Sequence, residues 1–329
     1  MKVVITGGAG FIGSNLSRRW VRVHPEDSVV VFDALTYAGR RESISALETS
    51  SKFQFVQGNI CDSHAVESTL SGADLVIHLA AESHNDRAVK DPMPFIRTNV
   101  EGTVTLLEAC RKLEIPKFHH VSTDEVFGSL SLDTSEKFTE ETAYRPRGPY
   151  SASKASADHV ARAWFETYGL PVTLSNCSNN FGPYQYPEKL IALTITSLLS
   201  GGKVPLYGDG RHVRDWIFVD DHCDALDLIA HRGKPGRTYL VSAEVELPNI
   251  EVVRRILTKL GKGDEHIDRV ADRPGHDRRY ALDASRLREE LGWKPRYDFD
   301  TALTMTIDWY RQNQDWWRPL LSGPPSRNG

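Results

Sequence analysis

The sequence is poor in sulfur: 329 residues hold four cysteines (Cys61, Cys110, Cys177 and Cys223) and three methionines. No two cysteines form a Cys-x-x-Cys pair, and none has a histidine at zinc-ligand spacing. That excludes a disulfide framework and a zinc finger, and points to reduced thiols, no metal and a cytoplasmic setting. Excess charge is lacking too: 40 Lys+Arg against 44 Asp+Glu leave −4. Neither a strongly basic nucleic-acid binder nor an acidic disordered protein is indicated. No apolar run approaches the ~18 residues of a membrane span. Residues 75–81 are among the longest, and His78 interrupts them. Residues 1–10 run straight into a strand and a glycine turn, so no signal peptide is expected. Fixed repeats and low-complexity linkers are missing, and residues 322–329 have the composition of a frayed tail.

What the chain has is alternation. Residues 3–6, 29–32, 53–57, 75–79, 118–122 and 172–176 are apolar runs of strand length, and residues 12–24, 65–70, 94–113 and 150–168 carry helical spacing. Strand and helix in turn predict an α/β fold, a doubly wound parallel sheet of Rossmann type with crossover helices. The second half is punctuated by glycine and proline at Gly182, Pro183, Gly201, Gly202, Gly208, Gly210, Pro274 and Gly275. It predicts a smaller α+β unit, with residues 213–241 returning to the sheet. The expected division is discontinuous. Residues 1–176 with about 213–243 form a dinucleotide-binding domain, and 177–212 with about 244–329 a substrate domain.

Gly8, Gly10 and Gly13 have the G-x-G-x-x-G spacing after the first strand, and Asp33 follows Gly13 by twenty residues at the end of the second. Glycines there let the backbone approach a pyrophosphate at a helix N-terminus, and an acid accepts from a ribose diol and repels a 2′-phosphate. The expected cofactor is therefore NAD; Arg40 and Arg41 lie too far along to favour NADP. Tyr150 and Lys154 stand four apart near the start of a helix, on one face. A lysine ammonium beside a phenol lowers its pKa, which fits the phenol to take a proton from an alcohol as hydride leaves the same carbon.

Five segments carry a resemblance: AAESHNDR (80–87), STDEVFG (122–128), YSASK (150–154), NCSNNFGPYQYPEKL (176–190) and DRPGHDRRY (272–280). With GGAGFIG and Asp33 they are similar to the extended short-chain dehydrogenase/reductases. They are closer still, and in the same order, to the dTDP-glucose 4,6-dehydratases. The resemblance implies an NAD-dependent hydro-lyase that oxidises C4 of dTDP-glucose, eliminates water across C5–C6 and returns the hydride to C6, feeding 6-deoxysugar synthesis. Glu125 would be the base at C5, Asp124 the acid at the C6 hydroxyl, and Thr123 the partner of the C4 oxygen, with Tyr150 and Lys154 at the oxidation. The resemblance gives NAD the residues Gly7, Gly8, Gly10, Phe11, Ile12 and Gly13; Asp33, Ala34, Leu35 and Thr36; Asn59 and Ile60; Leu79, Ala80, Ala81, Glu82 and Ser83; and Thr98, Tyr150, Lys154 and Asn180. The sugar nucleotide would meet Ser83, Thr123, Asn179, Lys189, Leu190, Pro205, Leu206, Tyr207, Arg214 and Asn249, then Asp272, Arg273, Pro274, Gly275 and His276.

The family is homodimeric, through helices 94–113 and 150–168. This sequence departs from its pattern in five places: Asn59 for the usual Asp, Asn85 and Ala88 for Val and Ser of an SHVDRS segment, and Phe127 and Phe181 for Tyr. Two alternatives share the fold. One is an epimerase or a dehydratase of another NDP-sugar; the other is an NAD-binding sensor without catalysis. The acid pair Asp124-Glu125 counts against the epimerase, and the intact Tyr150, Lys154 and acid pair count against the sensor.

Overall fold

The apolar runs of the first half lie side by side. The computed structural model describes residues 1–272 and 276–321; the expected tail and Arg273, Pro274 and Gly275 fall outside them. In chain order the described strands are β1 (Lys2–Thr6), β2 (Ser28–Asp33), β3 (Phe53–Gln57), β4 (Leu75–His78), β5 (Phe118–Thr123), β6 (Val172–Cys177), β7 (Asn179–Phe181), β8 (Val204–Tyr207), β9 (Val213–Phe218), β10 (Thr238–Val241), β11 (Val245–Pro248) and β12 (Ile267–Val270). The helices are α1 (Phe11–Val23), α2 (Ser63–Leu70), α3 (Asn85–Lys90), α4 (Met93–Ile96), α5 (Gly102–Lys112), α6 (Pro149–Tyr168), α7 (Leu190–Leu199), α8 (Val219–Arg232), α9 (Asn249–Lys259), α10 (Ser285–Leu291), α11 (Phe299–Gln312) and α12 (Gln314–Leu321). No described helix is long and apolar enough to cross a membrane.

Seven strands form one parallel sheet in the order β10-β6-β5-β4-β1-β2-β3. This is the doubly wound sheet that the alternation predicts. Its order reverses between β1 and β4, which opens a crevice at the carboxyl ends of those strands. A three-stranded sheet, β11-β9-β7, and a two-stranded pair, β12-β8, make up the second layer. Of residues 213–241, only β10 joins the large sheet, and β9 is the centre of the small one.

Side chains alternate across β1 as a sheet buried on both faces requires. Val3 and Ile5 pack toward Leu16 and Trp20 of α1 and Leu226 of α8. Val4 packs on the other face, with Leu70 of α2 and Leu106 and Leu107 of α5. The first cluster runs on into the small layer through Ile191, Ile195, Val252, Ile256 and Leu303, so the layers share one core. Burying each such side chain contributes roughly 1.5–3 kcal/mol.

The helix ends follow local chemistry. Asp62 caps α2 by accepting from the His64 and Ala65 N–H groups at 3.1 Å. Pro149 opens α6, and Gly169 closes it at φ +69°. Residues 94–113, expected as one helix, are α4 and α5 joined by a π-helical turn, Arg97–Glu101. Asn99 lies in that turn. Its side chain accepts from Glu82 N–H at 2.8 Å and donates to Glu82 O at 3.0 Å and to Ser153 Oγ at 2.8 Å. The turn thereby ties the loop after β4 to α6.

Candidate active site

A cleft of about 730 Å³ opens at the carboxyl ends of β1, β2, β4, β5 and β6, with residues of β7, β8 and β9 on its other side. The glycine turn forms one end. Gly7 has φ +70°, and a Cβ there would lie 2.6 Å from Ala80 N; a Cβ on Gly13 would lie 2.2 Å from Gly7 O. Only glycine fits either place. Gly10 is the N-cap of α1, whose first turn carries no acid, so its free N–H groups and positive dipole end are left for an anion. Asp33 accepts from Ala9 N–H at 2.9 Å and Leu35 N–H at 2.8 Å. Burial raises its carboxyl above the usual range while these two bonds pull it down. Arg40 pairs with Glu42 and Arg41 with Glu48, so both cations are already engaged by acids. Glycine turn, helix end and acid together fit a dinucleotide with a free ribose diol.

The acid pair sits where β5 ends. Thr123 Oγ1 donates to Asp124 Oδ1 at 3.2 Å and accepts from Glu125 N–H at 3.3 Å, capping the short turn that holds both acids. Asp124 is 1% exposed. Burial first, then the charges of Glu125 and Asp215, hold its carboxyl well above the carboxylate range. Asp124 Oδ2 has no partner among the described residues. Glu125 is half-buried, and its Oε2 accepts from Asn85 Nδ2 at 3.0 Å. Burial thus biases Asp124 toward its neutral form.

Tyr150 and Lys154 line the same cleft from α6. Lys154 Nζ donates to Val121 O at 2.9 Å. The phenol does not lie low as the spacing alone suggests. Burial first, then Glu125 and Cys177, push it well above its usual value, against a bond from Ser83. Burial lowers Lys154, and Asp158 one turn further along α6 opposes this. Asp158 accepts from His120 at 3.0 Å, Tyr144 OH at 2.8 Å and Asn176 Nδ2 at 3.1 Å, a buried network one turn beyond Lys154.

These features can be set against known proteins. The family model described as GDP-mannose 4,6 dehydratase matches residues 4–306. A dTDP-glucose 4,6-dehydratase of Mycobacterium tuberculosis is 51% identical over 328 residues, 99% of this chain and 98% of that one. The chain belongs to the dTDP-glucose 4,6-dehydratase family. A crystal structure of the family's DesIV from Streptomyces venezuelae, with NAD bound, superposes with a TM-score of 0.94 at 44% identity, covering 97% of this chain and 99% of that one. A UDP-glucose 4-epimerase of Thermus thermophilus, also with NAD, stands further off, with a TM-score of 0.87 and 29% identity over 95% of this chain and all of its own.

Most residues that the family resemblance nominates meet in the cleft. From the cofactor set, Gly7, Gly10, Phe11, Ile12, Gly13, Asp33, Ala34, Thr36, Asn59, Ile60, Thr98, Asn180 and residues 79–83 line it. So do Asn179, Lys189, Leu190, Pro205, Tyr207, Arg214, Asn249 and His276 from the substrate set, with the five catalytic candidates. Gly8, Leu35, Leu206 and Asp272 are not in the lining. Gly8 packs on Val31, Leu35 N–H holds Asp33, Leu206 is core, and Asp272 accepts from His276 Nδ1 at 2.7 Å. Arg273, Pro274 and Gly275 are outside the described residues. Arg214 donates to Val213 O and Asp277 O at 2.8 and 2.9 Å, and its guanidinium lies 4.4 Å over the Tyr280 ring.

The departures divide by place. Phe127 and Phe181 belong to hydrophobic clusters, and Ala88 packs with Phe95 and Tyr150. Asn59 lines the cleft, and its Oδ1 accepts from Cys61 N–H at 2.9 Å. Other lining residues escaped sequence reasoning. Tyr37 OH lies 2.9 Å from Glu188 Oε1 and 3.1 Å from Ser83 O, with the Arg87 guanidinium 3.5 Å over its ring. No sequence pattern marks that cluster. Tyr280, donating to Asp277 Oδ2 at 2.7 Å, closes a quoted motif and was within reach.

Proposed function

We infer that this chain removes water across C5–C6 of dTDP-glucose, giving dTDP-4-keto-6-deoxyglucose, and that Thr123, Asp124, Glu125, Tyr150 and Lys154 divide the work. A ketone at C4 makes the C5 proton acidic, because C5 is then α to a carbonyl. As its phenolate, the form that burial opposes, Tyr150 takes the C4 hydroxyl proton, and Thr123 hydrogen-bonds the C4 oxygen. Lys154 is the buried cation of the pair, tied to β5 through Val121 O. Glu125 takes the C5 proton and later restores one. Asp124 gives its proton to the C6 hydroxyl, which leaves as water. The glycine turn and Asp33 would hold NAD, which would supply the hydride acceptor for C4 and the hydride donor for C6 without net consumption.

The observation that carries this reading is the acid pair in unlike settings: a fully buried Asp124 bonded to Thr123, its carboxyl pushed up by burial, with a half-buried Glu125 bonded to Asn85 beside it. Elimination needs an acid and a base at neighbouring carbons, whereas inversion at one carbon needs neither.

The division of labour extends to the chain as a whole. Residues 1–176 with about 213–243 hold the cofactor, and 177–212 with about 244–329 hold the sugar nucleotide. The protein works in the cytoplasm as a homodimer through residues 94–113 and 150–168. Four unpaired cysteines support the compartment. Exposed Val89, Met93, Ile96, Leu113 and Tyr168 on and beside these helices support the dimer, which sedimentation tests.

The deciding experiment uses dTDP-glucose deuterated at C4. Loss of one water with deuterium recovered at C6 is expected. An unchanged mass with inverted C4 would make the protein an epimerase. No reaction, with turnover of another NDP-hexose, would move the substrate.

A further inference from the structure

Asn85 opens α3, beside His84, whose backbone stands at φ +86° and turns the chain into the cleft. A non-glycine residue adopts that conformation only where its surroundings impose it. One turn further on, Ala88 is fully buried against Phe95 and Tyr150, which fixes α3 beside the helix carrying the catalytic tyrosine. The Asn85 amide then reaches 3.0 Å from Glu125 Oε2 across 40 residues of chain.

We propose that Asn85 is a positioning residue for the base: its Nδ2–H donates to Glu125 Oε2, fixes the rotamer of the carboxylate and favours its ionised form. The proposal rests on Glu125 taking the C5 proton. The usual Val at this place gives the base no donor, so the amide is an addition of this chain: the acids facing Glu125 repel its charge, and Arg214, which acts on Asp124 and Tyr280, is bonded to Val213 O and Asp277 O. Asp124 precedes it in the same turn, Tyr150 faces it from α6, and Tyr280 faces it from the segment after residue 275. The Glu125 charge raises the pKa of all three. A neutral amide stabilises the anion without adding a charge that would also ionise Asp124. Valine has no donor, and aspartate would repel.

The test compares Asn85→Val, Asn85→Asp, Glu125→Gln and the Asn85→Val/Glu125→Gln double variant in the full chain with NAD. Three readouts are taken: the pH profile of kcat, solvent deuterium exchange at C5, and C4 oxidation followed as reduced nicotinamide in a single turnover. Removing a bond to the charged form raises the pKa of the base. Asn85→Val should therefore move the acidic limb of the profile up by about half to one pH unit and slow C5 exchange about three- to tenfold at neutral pH, since a charge-assisted bond contributes on this scale. C4 oxidation and KM should stay at wild-type values. Asn85→Asp should move the limb further in the same direction, and Asn85→Val should add nothing once Glu125 is Gln. An unmoved limb with normal C5 exchange would overturn the proposal. So would an equal fall in C4 oxidation, which marks a structural defect. In both cases the base assignment stands as long as Glu125→Gln abolishes C5 exchange. C5 exchange at the wild-type rate in Glu125→Gln would instead remove Glu125 as base, and the role of Asn85 with it.

Discussion

Asp33 and Asn249 stand on opposite walls of one cleft and are partnered differently. Both Asp33 oxygens accept backbone N–H groups, while Asn249 Oδ1 has no partner among the described residues. The contrast recurs at several positions, though not at Asp124, whose Oδ2 on the first wall also has no partner among the described residues. On the side of the large sheet, Asn99 is satisfied by Glu82 and Ser153, and Lys154 by Val121. On the side of the small sheets, Asn179 Oδ1 and Trp216 Nε1 join Asn249 as buried atoms with no partner among the described residues. A buried polar group left unpaired costs about 1–3 kcal/mol. Asp33, Asn99 and Lys154 on the first wall are held before anything binds, while Glu82 Oε2 and Asp124 Oδ2 there have no hydrogen-bond partner among the described residues. The second retains acceptors and donors whose cost a polar ligand can relieve.

The strongest way to break this contrast is at the first wall. Tyr150→Phe keeps the ring against Phe95 and removes only the hydroxyl. Turnover should fall by about 10²–10⁴, as loss of an acid–base group does. Rapid mixing with dTDP-glucose should then yield no reduced nicotinamide; its appearance at the normal rate would exclude Tyr150 from the oxidation. Asp124→Asn comes next, with water loss slowed by about 10². Exchange at C5 should slow much less, because it does not use the acid. Equal slowing of both would mean that Asp124 is not the proton donor.

The binding wall should give a smaller effect of another kind. Asn249→Ala is expected to raise KM for dTDP-glucose about fivefold, one hydrogen bond's worth, with kcat and NAD retention near wild type. A fall in kcat at constant KM would contradict a binding role for this wall. An effect on stability alone lies outside the cleft lining, at Asp215 on β9. It accepts from Ser242 Oγ at 2.6 Å and Leu282 N–H at 3.1 Å, and burial pushes its carboxyl up to about 7. The folded chain keeps this proton to a higher pH than the unfolded chain, in which an aspartate titrates near ~3.9. Its contribution to stability is whole below that value and is lost as pH rises toward 7, at up to about 1.4 kcal/mol per pH unit. Asp215→Asn should flatten this slope. Melting temperatures at mildly acidic and mildly alkaline pH should lie closer together than in the wild type, and an unchanged difference would show that Asp215 is ionised when folded.

The glycine turn, Asp33 and the Tyr150–Lys154 pair were legible in the sequence, because each is a local pattern whose spacing dictates its geometry; the adjacent acids carried a role only through the family resemblance. A turn that needs glycine, an acid at a strand end and two residues on one helical face all follow from the chain's own periodicity. The parallel sheet was legible for the same reason, from the alternation of strand-length and helix-length apolar runs. What tertiary structure alone decided is which groups meet and how dry they are. Tyr37 meets Glu188 across 151 residues, and Asn85 meets Glu125 across 40. The Tyr150 phenol lies high because burial outweighs the pattern that suggested a low one. β9 left the large sheet for the small one. Spacing along a chain fixes direction over a few residues, whereas burial and pairing are set by segments that folding brings together from far apart.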